Sequence, residues 1–147
     1  MATLYGARLY QAPTNESNVR YDVIGETSDV VAPGDVLSME SGVLEVTDAA
    51  TEPIAGVAIA TVTAAQNDAT KYVGYVPADE NYVWLMGTNS DLTSNAANFG
   101  TFYGLTGGTG AQQVNVSGSV TTTTSRQVMI VKVDPRNIGG TGAASGL

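Results

Sequence analysis

Gly34–Val62 reads GDVLSMESGVLEVTDAATEPIAGVAIATV, and the alternation inside it decides the fold class. Val36–Met39 and Val43–Val46 are two short runs of strand-forming residues joined by Glu40-Ser41-Gly42. A three-residue connection with glycine last suits a tight hairpin, because that place commonly takes a positive φ. Leu37 and Met39 share one face of the first strand, and Leu44 and Val46 pack beside them from the second. Pro53 then punctuates, and Ile54–Val62 forms a third run. Val57, Ile59 and Thr61 line one side of it, with Gly56, Ala58 and Ala60 on the other. A face so small lets another backbone approach closely.

Outward from this seed the same period repeats. Val19–Ile24, Lys71–Val76, Tyr82–Met86, Thr101–Leu105, Gln112–Val116, Val120–Ser125 and Gln127–Val133 read as short strands separated by Gly, Pro, Asn and Asp. Pro33-Gly34 is a turn that delivers the hairpin. Thr88–Gly100 is a loop with one turn of helix at most, since its Asn and Thr content disfavours helix. Many short strands at turn-punctuated spacing predict an all-β, single-domain small barrel or sandwich. Met1–Asn18 is expected as an extended N-terminal arm, residues 19–137 as the β domain, and Ile138–Leu147 (IGGTGAASGL) as a flexible glycine-rich tail.

Composition narrows the function classes. The chain has 147 residues, of which 43% are hydrophobic and only 14% charged, against roughly 25% charged in ordinary soluble domains. With six Lys and Arg against fourteen Asp and Glu, the net charge of −8 repels nucleic-acid phosphates and anionic membranes. There is no Cys and no His, which removes disulfides, thiol chemistry, the commonest general base and the commonest zinc ligand. No signal-peptide pattern opens the sequence, and no apolar run approaches the ~20 residues of a membrane helix. A protein made in a cytoplasm is expected.

Candidate sites fail one by one on their mechanics. Gly104–Gly110 lacks the Lys and Ser or Thr that a phosphate loop needs after its last glycine, so a hairpin loop is the reading. Asn89, Asp91, Asn95 and Asn98 miss the calcium-loop spacing and have no closing acid. Asp79-Glu80 is a solvated turn pair with nothing nearby to split its pKa values. The hydroxyls of Ser117–Ser125 lack a local base. Lys71 and Lys132 suit strand edges. Tyr82, Trp84 and Met86 form a core layer in preference to a binding face. No catalytic residue, metal ligand or cofactor is expected.

The order Gly34-Asp35-Val36, a turn, Gly42-Val43-Leu44, then Pro53-Ile54-Ala55-Gly56-Val57-Ala58 resembles the small decoration, or cement, proteins of tailed-phage capsids. In that family similar runs build a compact β-barrel or β-tulip. The likeness covers roughly Ala32–Val62, weakens as far as Leu92, and has no residue-by-residue match beyond Phe99. It implies a non-enzymatic virion structural protein that binds the major capsid protein on the outer surface of the shell. It also implies a homo-oligomer, a trimer before a dimer, made in the cytoplasm of a bacterial host. No nucleic acid or membrane enters. The alternatives are a phage tail or head–tail connector component, or a carbohydrate-binding module stacking sugars on Tyr82, Trp84 and Tyr103.

Partner-binding residues come from the first segment. Leu4, Tyr5, Leu9 and Tyr10 are too apolar for a solvated tail, and Pro13–Ser17 cuts them off from the later strands. They are either a capsid-contacting arm that adds to a partner's sheet edge or the first strand of the chain's own sheet. The absent metal motifs give the first prediction. Excess chelator should leave the Tm unchanged, and a fall of several degrees would reveal an oxygen-only metal site.

Overall fold

The structure, a computed structural model, describes residues 6–11, 19–24, 30–47, 52–63, 71–78, 83–90, 100–116, 127–130 and 145–146. Among these there is no helix, and the strands are β1 (Arg8–Gln11), β2 (Arg20–Val23), β3 (Val36–Glu40), β4 (Val43–Val46), β5 (Ile54–Ala58), β6 (Tyr72–Pro77), β7 (Val83–Gly87), β8 (Phe102–Tyr103), β9 (Leu105–Thr106), β10 (Gln113–Val114), β11 (Val128–Met129) and β12 (Ser145–Gly146). The all-β expectation holds. Asp79, Glu80, Tyr82, Asp91, Asn95, Asn98, Lys132 and the run 117–126 lie outside the described residues.

Five strands form the main antiparallel sheet, in the order β2-β6-β5-β3-β4. Its two margins meet at one point, where Ile24 and Leu44 form a parallel bridge. The curled inner face carries one core of Ile24, Val31, Leu37, Leu44, Ala58, Val62, Val73 and Tyr75. A second core lies between the outer face and the remaining strands: Val36 and Val57 meet Ala7, Met86, Tyr103, Leu105, Val114 and Ile130 there. The strands over this outer face are β1-β7-β12 and the pairs β9–β10 and β8–β11.

The central hairpin forms with a tighter loop than its sequence predicts. Glu40 pairs with Val43, so the connection is Ser41-Gly42 alone. Both residues have positive φ, 50° and 87°, the geometry whose twist matches the flanking strands. Leu37 lies opposite Val46 and Met39 opposite Leu44, as the alternation requires, although Met39 at the strand's end is exposed.

The third run stops sooner than expected. β5 ends at Ala58, because its terminal amide and carbonyl bond to the turn before β3: Ala58 N donates to the Asp35 carbonyl (2.8 Å) and Gly34 N to the Ala58 carbonyl (2.8 Å). The register also shifts between Leu37–Gly56 and Ser38–Ile54, leaving Ala55 as the extra residue of a bulge. The bulge turns Ile54 onto the outer core, away from the side that Gly56 and Ala58 share. The close approach that Gly56 permits comes from β6 of the same sheet. A Cβ at Gly56 would stand 2.3 Å from the Val76 carbonyl oxygen.

The two cores are joined at Ala32-Pro33-Gly34-Asp35. This is a type II turn with proline and then glycine at φ 95°, closed by Asp35 N donating to the Ala32 carbonyl (3.0 Å). Ala7 N donates to the Gly34 carbonyl (2.7 Å), which ties the start of β1 to the turn. The Asp35 carboxylate is fully buried and accepts from Ala32 N (2.7 Å) and Gly110 N (2.7 Å). Burial pushes this carboxyl above the ordinary aspartate value, and the two amides pull it part of the way back. Its stabilising contribution is therefore fully present below that ordinary value and declines as the pH rises through the raised one.

Gln112, also fully buried, completes the joint. Its Oε1 accepts from Val36 N (2.5 Å), and its Nε2 donates to the carbonyls of Val36 (3.1 Å) and Thr47 (2.8 Å). Its own carbonyl accepts from Gly6 N (2.9 Å). One side chain thus satisfies three backbone groups that water cannot reach.

The described residues of both terminal segments join β7. Arg8–Gln11 pair antiparallel with Val83–Leu85 of the same chain. Ser145 and Gly146 pair with Gly87 and Met86, which places β7 between β1 and β12. These pairings are backbone ladders, which alternation of side chains does not report.

Two substitutions test the joint from opposite sides. Gln112→Glu changes one group yet sets a carboxylate against two carbonyls, and should cost at least about 2–4 kcal/mol by the penalty for unsatisfied buried groups. Thr47→Val should be neutral or stabilise by up to about 1 kcal/mol, because Thr47 Oγ1 is buried and has no hydrogen-bond partner among the described residues. Chemical denaturation midpoints read both.

Candidate functional site

Binding capacity is found where the polar groups are not already used by the fold. The glycine loop is spent in that sense. Gln113 pairs with Thr106 and Val114 with Leu105, so residues 107–112 close a hairpin, as the sequence predicts. The anion that the loop's Gly110 amide meets is Asp35 of its own chain. Thr109 Oγ1 donates to the Val30 carbonyl (2.6 Å), pinning the loop again. Asn89 is equally committed: its Nδ2 donates to Asn115 Oδ1 (2.9 Å) and its Oδ1 accepts from Val116 N (2.9 Å). Among the described residues no group of three or more Asp or Glu could hold a metal ion.

Of the aromatic residues weighed for sugar stacking, Trp84 and Tyr103 sit inward, and Tyr82 lies outside the described residues. Met86 and Tyr103 are buried in the outer core and Trp84 packs against it. Tyr103 therefore offers no stacking face. Of the expected arm residues, Leu4 and Tyr5 lie outside the described residues, while Leu9 and Tyr10 belong to β1.

The surface that remains was not singled out in the sequence. The outer face of the main sheet is covered by the outer core at Val36 and Val57, but the same face continues uncovered toward β2. There Tyr21 (65% exposed), Tyr72 (63%) and Ile59 (45%) stand together. Tyr21 lies opposite Gly74, and Ile59 N donates to the Gly74 carbonyl (3.0 Å), so Tyr21, Gly74 and Ile59 form one row across three chain segments. Tyr72 is on the same side of β6, two residues before Gly74.

Gly74 is the floor of this platform. A Cβ there would meet Tyr21 Cε1 at 2.9 Å and Ile59 Cγ1 at 3.3 Å, so the missing side chain is what lets the Tyr21 ring lie across the sheet. Beneath it, on the inner face, the Tyr75 hydroxyl donates to Asp22 Oδ2 (2.6 Å), which anchors β2 to β6. Burial, then the Asp22 hydrogen bond and charge, push the Tyr75 phenol upward. Alternation in Arg20–Val23 and Tyr72–Val76 does assign these faces. It does not say which part of a face another layer covers.

No protein-family model, no curated protein and no solved structure matches the chain.

The platform predicts a contrast between two glycines. Gly74→Ala meets only the far ends of flexible side chains and should cost less than about 1 kcal/mol while displacing the Tyr21 ring. Gly56→Ala meets backbone and should cost about 1–3 kcal/mol, in the range for overpacking. Thermal melts of the two variants, with Tyr21 followed by NMR, measure the contrast.

Proposed function

We propose that this chain is a decoration, or cement, protein of a tailed-phage capsid, a non-enzymatic structural protein that binds the assembled major capsid protein on the outside of the shell. The observation that carries the reading is the exposed Tyr21–Ile59–Tyr72 platform on a domain whose other described polar clusters are engaged in holding the fold. Exposed apolar patches of this kind mark contact with other macromolecules, and the acidic net charge favours a protein surface over packaged DNA. The resemblance around Gly34-Asp35-Val36 supports it further, because those residues form the joint between the two cores.

In this reading the main sheet closes as a small barrel at the Ile24–Leu44 bridge, and the overlying strands brace it. The protein acts as a homo-oligomer on the outer capsid surface after synthesis in the bacterial cytoplasm. It needs no cofactor, and membranes and nucleic acids are not partners. A tail or head–tail connector role uses the same platform in a closed ring.

Co-sedimentation with empty shells of the capsid protein encoded beside its gene tests the reading. The wild type should pellet with the shells. Ile59→Ser combined with Tyr72→Ser should lose most of that binding, with the circular dichroism spectrum and Tm nearly unchanged, since exposed substitutions usually shift stability by only about 0.5 kcal/mol. Failure of the wild type to bind overturns the function. Undiminished binding by the double variant overturns the role of the platform.

A further inference from the structure

We infer that β2 is a self-complementary edge, on which a second copy of this chain pairs antiparallel about a two-fold axis passing through Tyr21. Sheet order puts β2 at a margin, and among the described residues it pairs along its length with β6 alone. The Ile24–Leu44 bridge covers only its far end. Among the described residues no other strand pairs with Arg20, Tyr21 or Asp22, and Arg20 and Tyr21 are exposed.

The backbone phase is the first support. Ile24 N donates to the Lys71 carbonyl (3.1 Å), so Ile24 directs its amide at β6. In an antiparallel ladder that direction recurs at every second residue, which turns Asp22 and Arg20 toward β6 as well. The N–H and C=O of Tyr21 then point outward. They are the pair that two copies would exchange.

Charge is the second support and selects the register. With Tyr21 opposite Tyr21 of the second copy, Arg20 faces Asp22 of that copy, and Asp22 faces its Arg20. Both cross-strand pairs are then of opposite sign, with an aromatic pair between them. Centring the axis on Arg20 or on Asp22 would oppose like charges. The Tyr75 hydroxyl already holds the Asp22 carboxylate in place at the margin. Side chains stand perpendicular to the sheet, so pairing sets two platforms side by side without covering either. Three residues of edge make a weak, transient contact when it acts alone. Two platforms on one pair would raise avidity for any repeating surface. The inference does not require that this surface be a capsid.

The chain lacks cysteine, which makes the axis directly testable by a single introduced thiol. Opposed residues that exchange both bonds have Cα atoms about 5.5 Å apart, within the roughly 4.4–6.8 Å that a disulfide spans. Only a residue on the axis can link to its own copy. Under mild oxidation Tyr21→Cys should form covalent dimers about tenfold faster than Tyr72→Cys, an equally exposed control, because pairing raises the local thiol concentration. Adding Arg20→Asp to Tyr21→Cys should abolish the advantage, and adding Asp22→Arg as well should restore it. Non-reducing gels give the readout and circular dichroism confirms folding. Equal rates for positions 21 and 72, indifference to Arg20→Asp, or a folded charge swap that restores nothing would each overturn the inference. Should the swap fail to fold, the comparison of positions 21 and 72 and the effect of Arg20→Asp decide.

Discussion

Everything described depends on how Gly34-Asp35-Val36 is held. Val36 belongs to the outer core and Leu37, its neighbour, to the inner one, so the chain enters both layers at this point. The start of β1, the end of β5, the glycine loop and the residue after β4 all bond to this short segment. Its carboxylate and the Gln112 amide are shut away from water, where each lost bond costs about 1–3 kcal/mol. A buried polar cluster that is fully satisfied specifies one arrangement of its neighbours, since any shift leaves groups unpaired. The glycine at φ 95° belongs to the same constraint. Ala7 approaches so closely that a Cβ at Gly34 would lie 3.1 Å from its carbonyl oxygen.

How much of this the sequence discloses follows from the range of each interaction. Strands β3, β4, β6 and β7 are legible because the period-two pattern is local and each strand is five or six residues long, or four in β4. The bulge at Ala55 is invisible, since it depends on where β3 and β5 fall into register. Gln112 is invisible for a stronger reason. It reads as one more polar residue in a strand, yet its partner Val36 is 76 positions away. The platform is half legible: alternation puts Tyr72 and Gly74 on one face, but the boundary of the overlying layer is a tertiary fact.

The joint also accounts for the Gly110 amide of the glycine-rich loop. Such a loop offers amides to an anion, and in this chain Gly110 offers its amide to Asp35. The local chemistry resembles anion binding while its role is to fasten two layers. Among the described residues, the surfaces that the fold leaves unspent are the uncovered end of the outer face and the margin beside it. Both lie at β2, at the opposite end of the sheet order from the hairpin that nucleates the pattern.

An exposed edge beside an apolar patch is a hazard, because unpaired amides accept any strand. Here the edge carries Arg20 and Asp22 on either side of Tyr21. Charges of opposite sign guard it against most sequences, since an arbitrary strand would set an unmatched or like charge against one of them. A strand with the reverse order of charges is accepted, and the strand certain to be present at equal concentration is β2 of another copy. The same two residues that guard the edge therefore make it selective. Because Asp22 is also the acceptor for the Tyr75 hydroxyl, that selectivity is built into the inner core and not merely displayed on the surface.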